Sequence, residues 1–268
     1  MQAALPMYFP PREALQAFWT ALRGLLQADS RMAGVALPTL LDAPADCHTQ
    51  WLEPDLLLSQ ACGYPLMTQL AGKVQLVGTF AYDAPGVQGM HCRSQLICRA
   101  GDARIALQDF AGSTLAFNDT ISQSGYNALR ALVASTTTAP RPFFAATLQT
   151  GAHYRSIEAV RTGQADMAAL DAVSWALWQQ ANPTLAAALR VFGQSDAYPG
   201  LPLITSLRTA ATVLAALRAH LQHIASDPAL AAVRAPLLIT GFEVSTWADY
   251  QRCTDMQVLA YTRGVREL

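Results

Sequence analysis

The sequence predicts an α/β fold built as two units, and three observations carry that expectation. Short apolar runs of strand length alternate with amphipathic stretches of helix length along nearly the whole chain, the mark of α/β folds with mostly parallel strands. The alternation starts afresh beyond Arg99, as though a second unit began there. Two Pro- and Gly-bearing stretches, 82–91 and 194–203, bracket that second unit and suit chain crossings that act as hinges. The first unit is therefore expected over 1–83 plus 200–268 and the second over 90–195.

The elements follow in order. Residues 3–7 read as a short buried strand. Pro10 and Pro11 open an amphipathic helix that runs to about Leu26, with proline at its first turn. Residues 34–37 and 55–59 read as strands separated by a Pro- and Asp-rich loop, and a short helix then leads to a long strand over 74–82. Strands are expected over 91–99, 114–118, 143–150, 166–170 and 189–194. Helices between them are expected over 124–133, 153–162 and 172–180. The chain then returns through a strand at 203–206, an Ala/Leu-rich helix over about 208–225, a strand at 236–239 and a last helix from about Thr246.

Composition bounds the function. Hydrophobic residues make up 52% of the 268-residue chain and charged residues 14%, ample material for a core and far from a disordered composition. A formal net charge of −1 supplies no field that would gather nucleic acid or an anionic membrane. Every apolar run is broken well short of a membrane span. The segment Met1 to Tyr8 has neither a basic start nor a long apolar run, so it does not read as a secretory signal. The five cysteines, Cys47, Cys62, Cys92, Cys98 and Cys253, include no C-x-x-C pair, so buried free thiols are expected and no metal or cofactor site is.

The strongest local signal is Asn118-Asp119-Thr120-Ile121-Ser122-Gln123-Ser124-Gly125-Tyr126-Asn127, between a strand and a helix. Hydroxyls at 120, 122 and 124 beside Gly125 place short donors next to the free N–H groups of a helix start. Such a terminus binds phosphate-like groups without a lysine, although Ser and Asp are also simply the favoured N-caps. A second signal, Ser59-Gln60-Ala61-Cys62-Gly63-Tyr64-Pro65, falls at the C-terminal end of a strand, where loops line the ligand crevice of open α/β sheets. A third comprises His153, at a helix start, and Asp171, at a strand end, each of which has a plain surface or N-cap reading beside the functional one. Trp175 reads as core. Signatures of the form G-x-S-x-G, G-x-x-x-x-G-K-[ST], H-E-x-x-H and the dinucleotide glycine fingerprint are missing.

Four ordered segments resemble a known family. They are Asp55 to Pro65; Tyr82-Asp83-Ala84-Pro85-Gly86 with Arg93-Ser94; Asn118 to Asn127; and Thr150-Gly151-Ala152-His153 with Gly163 to Asp171, followed by Gly241-Phe242-Glu243. Together they resemble the phosphate, phosphite and phosphonate substrate-binding proteins of ABC transporters. The resemblance implies a type II periplasmic-binding-protein fold, with two α/β lobes, a ligand cleft and two crossover strands. It implies that Ser122, Ser124 and Gly125 grip a phosphoryl group, with Tyr126 and Asn127 in the same ligand-binding turn. Asp171 would face an amino group on the ligand, and Tyr8, Ser59, Gln60, Tyr64, Tyr82, Ser94 and His153 would complete the lining. The expected function is capture of a small anionic or zwitterionic solute by a monomer that delivers it to ABC transporter membrane subunits. A periplasmic location follows from the resemblance and a cytoplasmic one from the N-terminal segment. The alternative function is a cytoplasmic enzyme on the same fold, with His153, Asp171 and Cys62 as candidate groups acting on a small carboxylate or phosphate-bearing substrate.

Overall fold

A computed structural model describes residues 1–136 and 142–268. In chain order its main elements are β1 (Gln2–Ala3), α1 (Arg12–Gln27), β2 (Leu56–Gln60), α2 (Gly63–Thr68), β3 (Val74–Tyr82), β4 (Ser94–Arg99) and β5 (Thr114–Phe117). A π-helical turn, Gln123–Asn127, then leads into α3 (Ala128–Thr136). Next come β6 (Ala146–Gln149), α4 (His153–Arg161), β7 (Met167–Asp171), α5 (Ala172–Ala181) and β8 (Leu189–Gln194). The chain closes with β9 (Pro202–Ser206), α6 (Ala211–Ser226), β10 (Ile239–Glu243) and α7 (Gln251–Thr262).

The chain divides into two units. Unit 1 holds residues 1–83, 88–91 and 199–249, and unit 2 holds 84–87, 92–198 and 250–268. The last segment differs from the expectation, which left 250–268 in the first unit. The cause is a set of bonds made by buried polar groups of unit 2. Asn127 Nδ2 donates to the Cys253 carbonyl at 2.8 Å, and Arg130 Nη1 donates to the Arg266 carbonyl at 2.9 Å. Cys253, Met256 and Ala260 of α7 are buried.

Unit 1 is a five-stranded sheet in the order β1-β2-β9-β3-β10. Helix α1 forms because Phe18, Trp19, Leu22 and Leu26 recur at helical spacing, and all four are fully buried. They share one core with Val213, Leu217, Leu221 and Ile224 of α6 and with Leu57, Val77, Phe80, Leu203 and Phe242 of the sheet.

Unit 2 is a five-stranded sheet in the order β8-β4-β7-β5-β6, and the two-residue period of its strands divides its core between two faces. Leu96, Cys98, Leu115, Phe117, Met167 and Ala169 pack with Tyr126, Leu129 and Val133. Ile97, Ala116, Ala168 and Leu170 pack instead with Ile157, Val160 and Trp175.

The sheets are less parallel than the alternation suggests. β1–β2, β5–β6 and β5–β7 are parallel, while β9–β2, β9–β3, β10–β3, β8–β4 and β4–β7 are antiparallel. Both β4 and β9 follow closely on a passage of the chain from one unit to the other. Their direction is set by where the chain enters, not by a crossover helix, which is the connection that parallel neighbours need. Residues 34–37 form no strand. The last strand begins at Ile239 because a short 3₁₀ turn carrying Pro236 precedes it and Leu238 has a left-handed φ of 60°.

Candidate functional site

In unit 2, the turn at 122–127 gathers most of the residues singled out in the sequence. Ser122 is its N-cap, and its Oγ accepts the Gly125 N–H at 3.0 Å. The Asn127 N–H reaches back to the Ser122 carbonyl, the wide spacing of a π-turn, a geometry that recurs at functional sites. First-turn N–H groups have no partners within the helix, and the helix dipole adds positive potential there.

Two neighbours fix Ser124. Its carbonyl accepts from Ser94 Oγ at 2.7 Å, and its Oγ lies 3.0 Å from His153 Nε2. Ser94 Oγ also bonds the Tyr198 hydroxyl at 2.8 Å, and the Ser94 N–H donates to Ser195 Oγ at 2.9 Å. Burial holds the Tyr198 hydroxyl far above the usual phenol range, so it stays protonated. Burial also lowers the His153 pKa to about 4, so the ring is neutral near neutral pH. Glycine at 125 leaves room for two neighbours. A Cβ there would overlap Asn118 Oδ1 and sit 3.3 Å from His153 Cε1.

Three expected ligand residues have other employment in this unit. Tyr126 is 5% exposed, its ring lies 5.0 Å from that of Phe117, and its hydroxyl accepts the Leu268 N–H. Asn127 is fully buried. Its Nδ2 donates to Gln123 Oε1 and to the Cys253 carbonyl, while its Oδ1 accepts from Arg130 Nη2. Both therefore serve the core, because the π-turn rotates them inward. Asp171 Oδ1 caps α5 by accepting the N–H groups of Val173 and Ser174, at 2.8 and 3.0 Å.

In unit 1, the end of β2 brings together Tyr8, Gln60 and Tyr82. The rings of Tyr8 and Tyr82 meet edge to face at 5.4 Å, and Gln60 Nε2 donates to the Tyr82 hydroxyl at 3.4 Å. Tyr64 is buried at the start of α2. Ser59 does not join the group. It is fully buried and its Oγ donates to Gln50 Oε1 at 3.1 Å, since alternate residues of a strand face opposite ways.

Asn118 and Tyr198 also belong to the unit 2 cluster, and sequence reasoning passed over both as site residues. Asn118 was visible inside the quoted motif. Tyr198 carried no signal of its own. Among the described residues no group of His, Cys, Asp and Glu could hold a metal ion, and all five cysteines are free.

Comparison with known proteins identifies the family and the fold. Residues 53–250 match the family described as the phosphonate periplasmic substrate-binding protein of ABC transporters. A binding protein component of an ABC phosphonate transporter (PA3383) from Pseudomonas aeruginosa superposes with a TM-score of 0.74 at 18% identity, over 98% of this chain and 88% of that one. PhnD1 from Prochlorococcus marinus, solved with methylphosphonate, gives 0.70 at 14% identity over 96% of both chains. XAC2383 from Xanthomonas citri, solved with ATP, gives 0.70 at 16% identity over 97% of both. No curated protein matches the chain. These likenesses establish a type II periplasmic-binding-protein fold, and the family match covers most of the sequence: the chain belongs to the phosphonate-binding periplasmic substrate-binding proteins of ABC transporters.

Proposed function

We propose that this protein captures a small phosphorus oxyanion, a phosphonate foremost, at the 122–127 turn of unit 2, and that it serves an ABC uptake system from the periplasm without transforming its ligand. The observation that carries the reading is the Ser124 hydroxyl held 3.0 Å from a neutral His153 at a helix start fixed by Ser122 and Ser94. Backbone N–H groups, the dipole and short hydroxyls then converge where an oxyanion can be held by charge-assisted bonds. Family membership supports the ligand class, as does the neighbour solved with methylphosphonate. Asp171 is committed to the α5 cap through Oδ1, so phosphonates without an amino group are expected to bind at least as well as aminophosphonates.

A thermal-shift screen tests this with phosphate, phosphite, methylphosphonate, 2-aminoethylphosphonate, sulfate and small carboxylates, each hit then being checked for turnover. A ligand at 100 times its Kd adds about 2.7 kcal/mol of stability, which is easily seen. Ser124→Ala should weaken the best phosphorus ligand about 10- to 150-fold, the value of one charge-assisted bond, while leaving the circular dichroism spectrum unchanged. A hit confined to carboxylates, or a Ser124→Ala protein of unaltered affinity, would overturn the assignment. Turnover of a hit, abolished by His153→Ala, would make the chain an enzyme.

A further inference from the structure

We infer that Tyr198 is a positioning residue: acting through Ser94, it holds the Ser124–Gly125 peptide of the 122–127 turn in place before a ligand arrives. The inference rests on the ligand site proposed above.

Each link is a short contact between groups of unit 2. Ser94 Oγ lies 2.7 Å from the Ser124 carbonyl oxygen and 2.8 Å from the Tyr198 hydroxyl. A serine hydroxyl has one proton to give, and a carbonyl oxygen can only accept. The Ser94 proton therefore goes to Ser124, and Tyr198 is the donor to Ser94. Burial, with neighbouring Cys92 and Asp171 adding to it, keeps the phenol protonated, so this donor is not lost to titration. The run has one direction from end to end, Tyr198 O–H to Ser94 Oγ and Ser94 O–H to the Ser124 carbonyl. A hydroxyl that accepts one bond donates a stronger one, and buried runs of this kind reinforce their own links.

The other end of the same peptide is held as well. The Ser124 carbonyl and the Gly125 N–H belong to one planar group, and Ser122 Oγ accepts that N–H at 3.0 Å. The plane is thus gripped at its oxygen and at its hydrogen. It carries Ser124 Cα, from which the hydroxyl beside His153 projects. Gly125, at its other corner, has wide backbone freedom, so the hydrogen bonds and not local sterics supply the rigidity. Ser94 spends its one proton on Ser124, which makes it a support of the turn and not a donor to the ligand. The Tyr198 ring packs with Cys92, Ala128, Ala131 and Met256, so Tyr198→Phe removes the hydroxyl and keeps the packing.

The sequence supplies a direct reporter, because Ser124-Gly125 is the only Ser-Gly pair in the chain. The full chain, made by cell-free synthesis with ¹³C′-serine and ¹⁵N-glycine, gives a single carbonyl-to-amide correlation, that of this peptide. In the unliganded protein, Tyr198→Phe should move the Ser124 ¹³C′ signal upfield, the direction of a weakened bond to the carbonyl. Ser94→Ala should move it further the same way. By calorimetry with methylphosphonate, Tyr198→Phe should weaken binding by about 3- to 10-fold, the value of one neutral hydrogen bond. Added to Ser94→Ala, it should cost less than about twofold more, because a residue that acts through Ser94 then has nothing to act on. A Ser124 carbonyl signal unmoved by Tyr198→Phe would overturn the inference. So would a Tyr198→Phe affinity within about twofold of the wild type, or losses that multiply in the double variant. If Ser94→Ala does not fold, the carbonyl signal and the affinity of Tyr198→Phe still decide the matter. If the wild type binds neither methylphosphonate nor phosphate, the function proposed above falls and the affinity half of this inference falls with it, while the carbonyl signal still decides whether Tyr198 holds the turn.

Discussion

At the scale of single residues, Gly125 is where sequence, packing and function meet. A methyl group there would overlap Asn118 Oδ1 and crowd the His153 ring, so Asn118 must shift to admit it. Gly125→Ala should therefore destabilise the protein by about 1–3 kcal/mol, as overpacking does, and should weaken methylphosphonate more than tenfold. Urea denaturation and calorimetry read the two effects, and a variant unchanged in both would show that the turn is looser than described. The Ser122 cap was legible because the Ser-x-Ser-Gly pattern is local chemistry: Ser122 Oγ accepts the Gly125 N–H whatever the rest of the chain does. Tyr126 and Asn127 were not legible, for a geometric reason. Read as part of an ordinary α-helical start, they look available to a ligand. The π-turn changes which way they face and sends one ring against Phe117 and one amide towards Cys253. Ser59 and Gln60 show the same limit on a strand, where adjacent residues cannot serve one surface.

At the scale of elements, the π-turn and helix α3 are held by a continuous polar run through the interior. Arg130 Nη2 donates to Asn127 Oδ1 at 2.8 Å, Asn127 Nδ2 donates to Gln123 Oε1 at 2.8 Å, and Gln123 Nε2 approaches Met256 Sδ at 3.2 Å. Arg130 also lies over the ring of Tyr261, 4.8 Å from its centroid. The run ties the turn to α7, an element that chain order alone assigns to the other unit. A purely apolar substitution, Asn127→Leu, would strand a guanidinium N–H, an amide oxygen and the Cys253 carbonyl at once. Each buried orphan costs about 1–3 kcal/mol, so a total loss of roughly 3–5 kcal/mol is expected, with partial relaxation included. Equilibrium unfolding in urea checks this. A cost below about 1 kcal/mol would mean that the buried partners find other bonds or water. The strands were largely legible because their apolar runs are short and cleanly bounded. Their directions were not, because the Pro- and Gly-bearing stretches mark the passages between units but not the direction in which β4 and β9 then run.

At the scale of the whole molecule, two pH windows separate His153 from the Asp102–Arg104 ion pair. Asp102 is held at a pKa of about 2 by its bonds to Arg104, while its unfolded value is about 3.9. A carboxylate depressed in the folded state contributes stability that is fully present above about pH 4 and is lost as pH falls through about 2. His153 is also depressed, to about 4 against about 6.5 when unfolded, because burial disfavours its charged form. Below about pH 6.5 the unfolded chain takes up a proton on this ring that the folded chain refuses, so stability declines between about 6.5 and 4. The limiting slope for one proton is about 1.4 kcal/mol per pH unit. Replacing the ring with a side chain that does not titrate, in His153→Gln, should flatten the decline above pH 4 and leave the steeper loss below it. Asp102→Asn should do the reverse: it should lower stability at neutral pH and soften the loss below pH 4, with the upper window untouched. Chemical denaturation at half-unit steps across both windows reads these slopes. If His153→Gln keeps the wild-type slope between 6.5 and 4, the ring is not held neutral by burial.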